Sequence, residues 1–381
     1  MRLRRAPGKF RVFVGPGNTA GNASWIAESL HRAGIYARSY AYGAHVFGYE
    51  VDHSIRQFRS LRRRGLIKLL NNRYVLRPVN AVIRLAFFLS VIFRYDLFYF
   101  ISPVTFFHRH QDLWWLRLFG KKIAFFFPGC AEKDPADPLN QMKYSDCWYC
   151  DDIPKQRHCL CHQPLLKKAR IRKFEKYAHF IFSRPNTSGY LRHPEKTFPM
   201  WLMTDPPPKK NLISKFDGPE AFRIVHFPSN KSLKGTRYVE AAIFQLQEKF
   251  GLDYVSRPMK NREVLKQLEE AHIVVDQFTH TFGLLTIEAM SRGCVVICRM
   301  EDWAREIWPD VPVVSCDPED VVATLQGLLA DPARMKEIGQ QSLDWFHQNA
   351  SPEIVGKKLG NVFLDGLGPR HFMQPGKEGV V

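Results

Sequence analysis

Residues 274–297, VVDQFTHTFGLLTIEAMSRGCVVI, decide the fold that we expect for the whole chain. Apolar runs of five or six residues around its two ends are typical of buried parallel strands. Between them the pattern predicts a polar loop and a helix that stops at Gly293, where a left-handed residue is favoured. Such a unit places a helix N-terminus at the carboxyl edge of a sheet, where an anion such as a diphosphate binds.

Glu288 lies within the predicted helix, one turn beyond its start. A carboxylate at this point can accept hydrogen bonds from a vicinal diol such as a ribose. Because a diphosphate beside a diol makes up most of a nucleotide sugar, the segment predicts a site for such a compound.

The segment FGLLTIEAMSRG also resembles the donor site of retaining glycosyltransferases of the GT-B fold, in the large group called family 4. Those enzymes have a Glu, seven residues, and a second Glu followed by Ala-Met. The resemblance implies that Glu288 binds the ribose and that Gly283 and Leu284 offer amides to the diphosphate, with Phe282 beside them. His280 stands where the family has its first Glu, and we expect it to contact the donor sugar as a catalytic residue.

A second part of the same site follows the strand RIVHFPSN, where the chain continues KSLKGT from Lys231. This is similar to the family's strand and loop that end in Lys-Gly. The resemblance implies that Lys234 binds the diphosphate as a catalytic point charge that stabilises the leaving group. Lys231 is the nearest substitute for an Arg of the family, although both lysines also fit a solvated loop. Gln277 is expected to touch the sugar, and His226 to be a core residue.

Strand and helix patterns alternate along both halves of the chain, which predicts parallel sheets with helices on their faces. The expected fold class is α/β: GT-B, with two Rossmann-like, doubly wound parallel-sheet domains facing a cleft. Three prolines in a polar run mark the linker between them. The expected divisions are an acceptor-side domain at 1–204 with a Cys-rich loop at 130–164, a linker at 205–220, a nucleotide-sugar donor domain at 221–350, and a helix crossing back with a mobile tail at 351–381.

The first domain opens with the strand RVFV and a glycine-rich loop that contains Gly15, Gly17 and Asn18. Its glycine spacing is one residue longer than the dinucleotide fingerprint, and no acidic residue follows the second strand until Glu50. This argues against NAD binding. We expect the loop to face the acceptor or the donor phosphates.

Two further segments, YDLFYFISP and DLWWLRLFGKKIAFFFPGC, resemble the first domain of bacterial family 4 enzymes of polysaccharide assembly. Gly129 and Cys130 match the family pattern at its end. Ala131 and Lys133 stand where that pattern has Asp and Arg. The resemblance implies a saccharide or a lipid-linked acceptor.

The formal net charge of +18 comes entirely from the first half of the chain. Residues 1–200 hold 34 Lys and Arg against 13 Asp and Glu, whereas residues 201–381 hold 21 against 24. Between Asp52 and Asp96 there are ten basic residues, interleaved with apolar ones, and no acidic residue. Such a segment fits the surface of an anionic bilayer, or a solvated helix beside a basic acceptor cleft. We do not expect nucleic acid as a partner, because no base-reading module accompanies the charge.

Four of the eight cysteines fall within fifteen residues, at Cys147, Cys150, Cys159 and Cys161. Two short Cys pairs at this spacing suit a structural zinc ion, which would order the surrounding loop. Reduced thiols and a disulfide stay open as alternatives. No catalytic metal is expected.

The N-terminal sequence MRLRRAPGKF leads directly into a strand, so the pattern does not predict a signal peptide. The apolar run at 81–93 is too short to span a bilayer and contains Arg84. We expect a cytoplasmic protein, with a peripheral position on the inner face of the plasma membrane as the companion hypothesis.

Together these patterns predict a retaining glycosyltransferase of the hexosyltransferase type, acting in cell-surface polysaccharide or glycoconjugate synthesis. Its donor would be a nucleoside diphosphate sugar. Two alternatives stay open: a binding or scaffold protein on a decayed transferase fold, and a GT-B sugar-nucleotide epimerase.

Overall fold

The computed structural model divides the chain into two compact units. The first comprises residues 1–133, 165–201 and 355–381, and the second comprises 134–164 and 202–354. Residues 136–145 and 147 group with the second unit. The residues that the structure describes are 10–43, 45, 47–55, 73–101, 103–128, 133, 136–145, 147, 163–183, 191–279 and 281–365.

The first unit is built on a seven-stranded parallel sheet in the order β3-β2-β1-β4-β5-β6-β7. Strand order reverses at β1, which places a topological switch point between β1 and β4.

No helix among the described residues is long and apolar enough to cross a membrane. The elements of this unit are β1 Arg11–Val14, α1 Asn22–Arg32, β2 Tyr36–Ala41, β3 His53–Ser54, α2 Arg73–Ile92, β4 Leu97–Ile101, α3 Asp112–Leu118, β5 Lys122–Phe126, α5 Pro164–Tyr177, β6 Phe180–Ser183, β7 Thr197–Pro199 and α12 Pro352–Asp365.

The core of this unit is rich in phenylalanine because its central strands are buried on both faces. All five residues of β4 are buried, as the continuous apolar run LFYFI predicts. The ring of Phe13 on β1 lies 4.5 Å from Tyr40, 5.3 Å from Phe98 and 5.1 Å from Phe106. Aromatic contacts thus join three adjacent strands and the loop after β4.

Helix α12 belongs to the first unit from Val355 onward, although it comes from the end of the chain. Gly356 lies directly on α1, where an added Cβ would meet the carbonyl oxygen of Ser29 at 1.9 Å. Phe363 packs edge-on against Tyr99 and Phe180, with ring centroids 5.9 and 5.3 Å away. The final helix therefore covers part of the first sheet.

The second unit contains a four-stranded parallel sheet in the order β11-β10-β8-β9, flanked by helices. This pair of parallel-sheet domains confirms the expected α/β fold class. The elements of this unit are α4 Pro138–Gln141, β8 Phe222–Val225, α6 Thr236–Leu246, β9 Leu252–Val255, α7 Asn261–Glu270, β10 Ile273–Val275, α8 Leu284–Met290, β11 Val295–Ile297, α9 Asp302–Ile307, α10 Val321–Leu329 and α11 Pro332–Asn349.

Two further apolar segments, PMWLM at 199–203 and VPVVSC at 311–316, have patterns typical of strands but form little strand. Strand β7 ends at Pro199, the first residue of PMWLM, and the N–H of Met200 makes one further bond, to the carbonyl oxygen of Ser183 at 3.0 Å. The segment VPVVSC contributes only an isolated parallel bridge between Val314 and Ile297.

Candidate functional site

The carboxyl ends of β8 and β10 lie side by side, because these two strands are hydrogen-bonded neighbours. The loop after β8 carries Lys231 and Lys234, and Asp276 and Gln277 follow β10 directly. Parallel strands bring such loops to one edge of the sheet. Three of the predicted donor-site residues, Lys234, Gln277 and Gly283, meet here.

Lys234 links the two strand ends by hydrogen bonds. Its Nζ atom donates to Oδ1 of Asp276 and to Oε1 of Gln277, each at 2.6 Å. The lysine side chain is 17% exposed, whereas Asp276 is fully buried. Burial by itself would raise the pKa of Asp276, but the Lys234 ammonium and three hydrogen bonds outweigh it and lower the pKa.

Asp276 also caps the start of α8. Its Oδ2 atom accepts hydrogen bonds from the backbone N–H of Gly283 at 2.9 Å and from Oγ1 of Thr286 at 2.8 Å. A Cβ at Gly283 would lie 3.1 Å from that oxygen, so glycine permits the close approach. The Gly283 amide, expected at the donor diphosphate, is therefore bound by the protein's own carboxylate.

Gln277 is held at both ends of its side-chain amide. Its Oε1 atom accepts from Lys234, and its Nε2 atom donates to the carbonyl oxygen of Thr281. This fixes the orientation of the amide at the end of β10. Contact with a sugar stays a prediction.

Gly235 allows the lysine loop to pack against the extension of β10. It adopts φ +65°, and an added Cβ would lie 2.5 Å from the ring of Phe278. Nearby, His226 is fully buried and bonds Val275 O through Nδ1 at 2.8 Å and Thr236 Oγ1 through Nε2 at 2.9 Å. Both ring nitrogens are satisfied, so His226 is a core histidine, as expected.

Glu288 is buried on α8, with 3% of its surface exposed. Its Oε1 atom accepts a hydrogen bond of 2.6 Å from Nδ2 of Asn261, at the start of α7. Burial raises the pKa of Glu288, whereas the Asn261 hydrogen bond and the nearby Arg292 lower it. Burial has the larger effect, and the resulting pKa is about 8. The side chain is therefore mainly protonated at neutral pH.

The remaining donor-site predictions fall in three different settings. The Phe282 side chain packs in the core, with its ring centroid 4.9 Å from Trp308 and 6.3 Å from Trp345. Leu284 is half-buried as the first residue of α8, and Lys231 is exposed in its loop. His280 lies outside the described residues.

The glycine-rich loop of the first unit lies at the switch point between β1 and β4. A Cβ at Gly15 would meet the carbonyl oxygen of Tyr40 at 2.2 Å, and one at Gly17 would meet that of Ile101 at 2.4 Å. Asn18 Oδ1 caps α1 by accepting from the N–H of Ala23 at 3.1 Å. Backbone packing and capping thus account for these residues, and a contact with phosphate or acceptor stays a prediction.

Most of the predicted zinc site lies outside the described residues. Cys147 is described, but Cys150, Cys159 and Cys161 are not, and neither are Gly129, Cys130 and Ala131. Within the described part of the chain, no group of three or more His, Cys, Asp or Glu residues is arranged to hold a metal ion. The zinc hypothesis stays a prediction.

Sequence reasoning missed Asp276, which organises the whole cluster. The sequence did contain a signal for this role of Asp276. Its carboxylate stands at the end of a buried strand, and Gly283 and Thr286 follow at the start of the next helix. A buried carboxylate requires hydrogen-bond partners, and a helix start supplies them.

Three solved structures illustrate the architecture to which this chain is similar. Sucrose-phosphate synthase from Thermosynechococcus elongatus has 14% identity and a TM-score of 0.57, over 93% of this chain and 98% of that one. HepE from Anabaena, solved in complex with UDP-glucose, has 10% identity and a TM-score of 0.56, over 94% and 99%. A UDP-N-acetylglucosamine 2-epimerase has 11% identity and a TM-score of 0.50, over 94% and 97%.

No family model and no curated protein matches the sequence. At such low identities the structural likeness defines the fold alone. The protein belongs to the α/β class and has the GT-B fold.

Proposed function

We propose that the protein is a glycosyltransferase that uses a nucleoside diphosphate sugar as its donor. The observation that carries this proposal is the cluster of Lys234, Asp276, Gln277 and Gly283 at the carboxyl edge of β8 and β10. Open parallel sheets bind their ligands at this edge. HepE, which shares the GT-B fold, was solved with UDP and with UDP-glucose.

Lys234 is the group that we assign to the donor diphosphate. A lysine ammonium has three N–H donors, and two of them bond Asp276 and Gln277. These are its partners among the described residues, and on a side chain that is 17% exposed we assign the third donor to a phosphate oxygen. Because Asp276 and Gln277 fix the ammonium in place, little reorganisation is needed when negative charge develops on the leaving diphosphate.

Glu288 is the group that we assign to the ribose. A diol donates its hydroxyl hydrogens most strongly to an ionised carboxylate. Donor binding would therefore favour loss of the proton that Glu288 holds at neutral pH. His280 remains our proposed contact to the sugar.

The finer features of the reaction follow from the resemblance described above. We propose retention at the anomeric carbon, hexosyl transfer, and a saccharide or lipid-linked acceptor. The basic first half of the chain supports an anionic acceptor, since residues 1–200 carry 34 Lys and Arg against 13 Asp and Glu.

A panel of nucleotide sugars, incubated with the full-length protein, tests this proposal. Release of a nucleoside diphosphate by hydrolysis, or its faster release when a lipid-linked saccharide is added, is the expected result. Binding without hydrolysis or transfer would instead favour a scaffold protein on a decayed transferase fold.

A sugar-nucleotide epimerase is the second candidate, because a UDP-N-acetylglucosamine 2-epimerase shares the fold at a TM-score of 0.50. The two activities leave different products in the same assay. An epimerase yields an isomer of the intact nucleotide sugar or of its free sugar without any acceptor, whereas a transferase yields a glycosylated acceptor.

A further inference from the structure

The outer face of α2 carries a row of exposed apolar side chains. A helix on the surface of a soluble protein normally presents polar residues outward. Here the outward residues recur every three or four positions, so they lie on one side of the helix. They are Val82, Leu85 and Leu89 on α2 and Phe93 directly after its end, which are 65, 47, 53 and 70% exposed.

The end of α3 and the residue after it extend this row into a continuous surface. Phe93 contacts Phe119 edge-on, with ring centroids 5.6 Å apart, and Trp115 stacks on Phe119 at 6.2 Å. The added side chains are Trp114, Trp115, Leu118 and Phe119, which are 42 to 60% exposed. We call these eight residues, which lie on α2 and α3 or directly after them, the aromatic patch.

An apolar surface of this size on one protein marks a place where something docks. Its composition favours a membrane interface, because Trp places its ring at the level of the lipid headgroups. Leu and Val on the same face supply apolar area that can enter the acyl boundary.

The charge around the aromatic patch is positive. Residues 73–128, which include both helices of the patch, contain eight Lys and Arg and only two acidic residues, Asp96 and Asp112. Asp112 is fully buried and accepts from Thr105 Oγ1 at 2.9 Å and from the N–H of Phe106 at 3.0 Å. Asp96 is half-buried and accepts from the N–H of Arg11 at 3.0 Å.

Two exposed arginines lie beside the aromatic rings in sequence. Arg94 follows Phe93, and Arg117 lies between Trp115 and Leu118. Each basic residue near an anionic membrane surface contributes to binding, and these two lie next to the apolar side chains that would be buried. The patch therefore combines apolar area with complementarity to negative charge.

We propose that the aromatic patch docks on a bilayer that contains anionic lipids. The Trp rings lie at headgroup depth, the Phe rings enter the acyl boundary with Leu and Val, and the neighbouring arginines contact lipid phosphates. This surface overlaps the basic segment noted in the sequence at residues 82–94 and extends it with α3, whereas residues 56–72 of that segment lie outside the described part of the chain. The inference does not depend on the proposed donor site.

Flotation of the full-length protein with lipid vesicles tests the proposal. One set of vesicles contains phosphatidylcholine alone, and the other contains phosphatidylcholine mixed with phosphatidylglycerol. We expect binding to the mixed vesicles, a shift of tryptophan emission to shorter wavelength, and weaker binding as salt concentration rises.

Two double variants remove apolar area from the patch, Leu89→Ser with Phe93→Ser and Trp114→Gln with Trp115→Gln. Each should weaken binding to mixed vesicles at least about tenfold, because buried aromatic and aliphatic side chains no longer contribute. The matched control is Phe244→Ser, since Phe244 is 75% exposed on α6 of the second unit. It should bind as the wild type does.

The charge is tested by Arg94→Gln, with Arg262→Gln on α7 as the exposed control. Arg94→Gln should bind the mixed vesicles about fivefold more weakly, which equals about 1 kcal/mol. Melting temperatures and nucleotide binding of all variants should match the wild type, because every altered side chain is exposed and outside the donor cluster.

Three results would overturn the proposal. The first is a wild-type protein that stays unbound on both kinds of vesicle. The second is binding that survives in both double variants, which would assign it to other residues. The third is that the wild-type protein does not bind vesicles but forms a dimer, and that the double variants abolish this dimer. That result would assign the patch to contact with a second copy of the chain.

Discussion

The ammonium of Lys234 and the carboxylate of Asp276 form an ion pair of 2.6 Å across the ends of two neighbouring strands. The two residues are 42 positions apart in the chain. Asp276 simultaneously holds the first amide of α8, at Gly283. One buried carboxylate therefore fixes both the lysine and the helix that we assign to the donor.

Removal of the lysine charge should destabilise the second unit. In Lys234→Met, Asp276 remains fully buried without its counter-charge, and we expect a loss of about 3 kcal/mol in the free energy of unfolding. Urea unfolding measures this loss against Lys266→Met, an exposed lysine on α7.

The stabilisation by the Lys234–Asp276 pair should be lost at acid pH. The pKa of Asp276 is lowered in the folded protein, so its contribution to stability is present above the ordinary carboxyl value and is lost as pH falls through the folded value. The difference between wild type and Lys234→Met should therefore shrink as the pH is lowered. A difference that stays constant at all pH values would show that the pair does not stabilise the fold.

A side chain at Gly235 should destabilise the protein because it would collide with the Phe278 ring. This effect can be separated from the cost of the positive φ angle. Gly235→Ala places a Cβ 2.5 Å from the Phe278 ring at φ +65°. Gly34→Ala is the matched control, because Gly34 has φ +78° and a Cβ there meets no described atom within 4 Å. We expect the control to lose about 1 kcal/mol and Gly235→Ala to lose clearly more.

Replacement of the ring tests this explanation. In a Phe278→Ala background, the cost of Gly235→Ala should fall to that of Gly34→Ala. An unchanged cost would mean that the ring is not the obstacle.

The raised pKa of Glu288 should make the folded protein less stable as the pH rises. Its pKa is raised from 4.5 to about 8, so the folded state holds a proton that the unfolded state loses earlier. Wild-type stability should therefore fall as pH rises between these two values. Glu288→Gln has no such proton, and its stability curve should be flatter. Equal slopes for both proteins would contradict burial as the cause.

Donor affinity should depend on the same proton. If the ribose binds the ionised carboxylate, affinity for a nucleotide sugar rises from neutral pH through about 8. A nucleotide sugar is the suitable ligand because its diphosphate does not titrate in this range. Calorimetry should show the rise in wild type and its absence in Glu288→Gln. A rise of equal size in both proteins would remove Glu288 from the donor site.

Much of the fold could be predicted because each strand–helix unit carries its own apolar pattern. Lys234, Gln277 and Gly283 could be assigned to one edge because parallel strands end together. The bonding of Asp276 could not be predicted, since its partners lie 7, 10 and 42 residues away along the chain.

Side-chain direction was the other limit of the sequence. Phe282 lies next to Gly283, yet its ring turns into the core because Trp308 and Trp345 surround it. Likewise, the apolar pattern of α2 shows that the helix is hydrophobic but does not show which face stays exposed. Leu89 and Phe88 are equally apolar, and only Phe88 is buried.

The most direct test of the donor site is calorimetric titration with UDP, GDP, ADP and dTDP. We predict that at least one of them binds the wild type and Lys266→Met equally, and binds Lys234→Met at least about tenfold more weakly, because a charge-assisted hydrogen bond to phosphate is lost. Melting curves confirm that each variant is folded at the temperature of titration. Equal binding to Lys234→Met, or no binding of any nucleoside diphosphate to the wild type, would contradict the account.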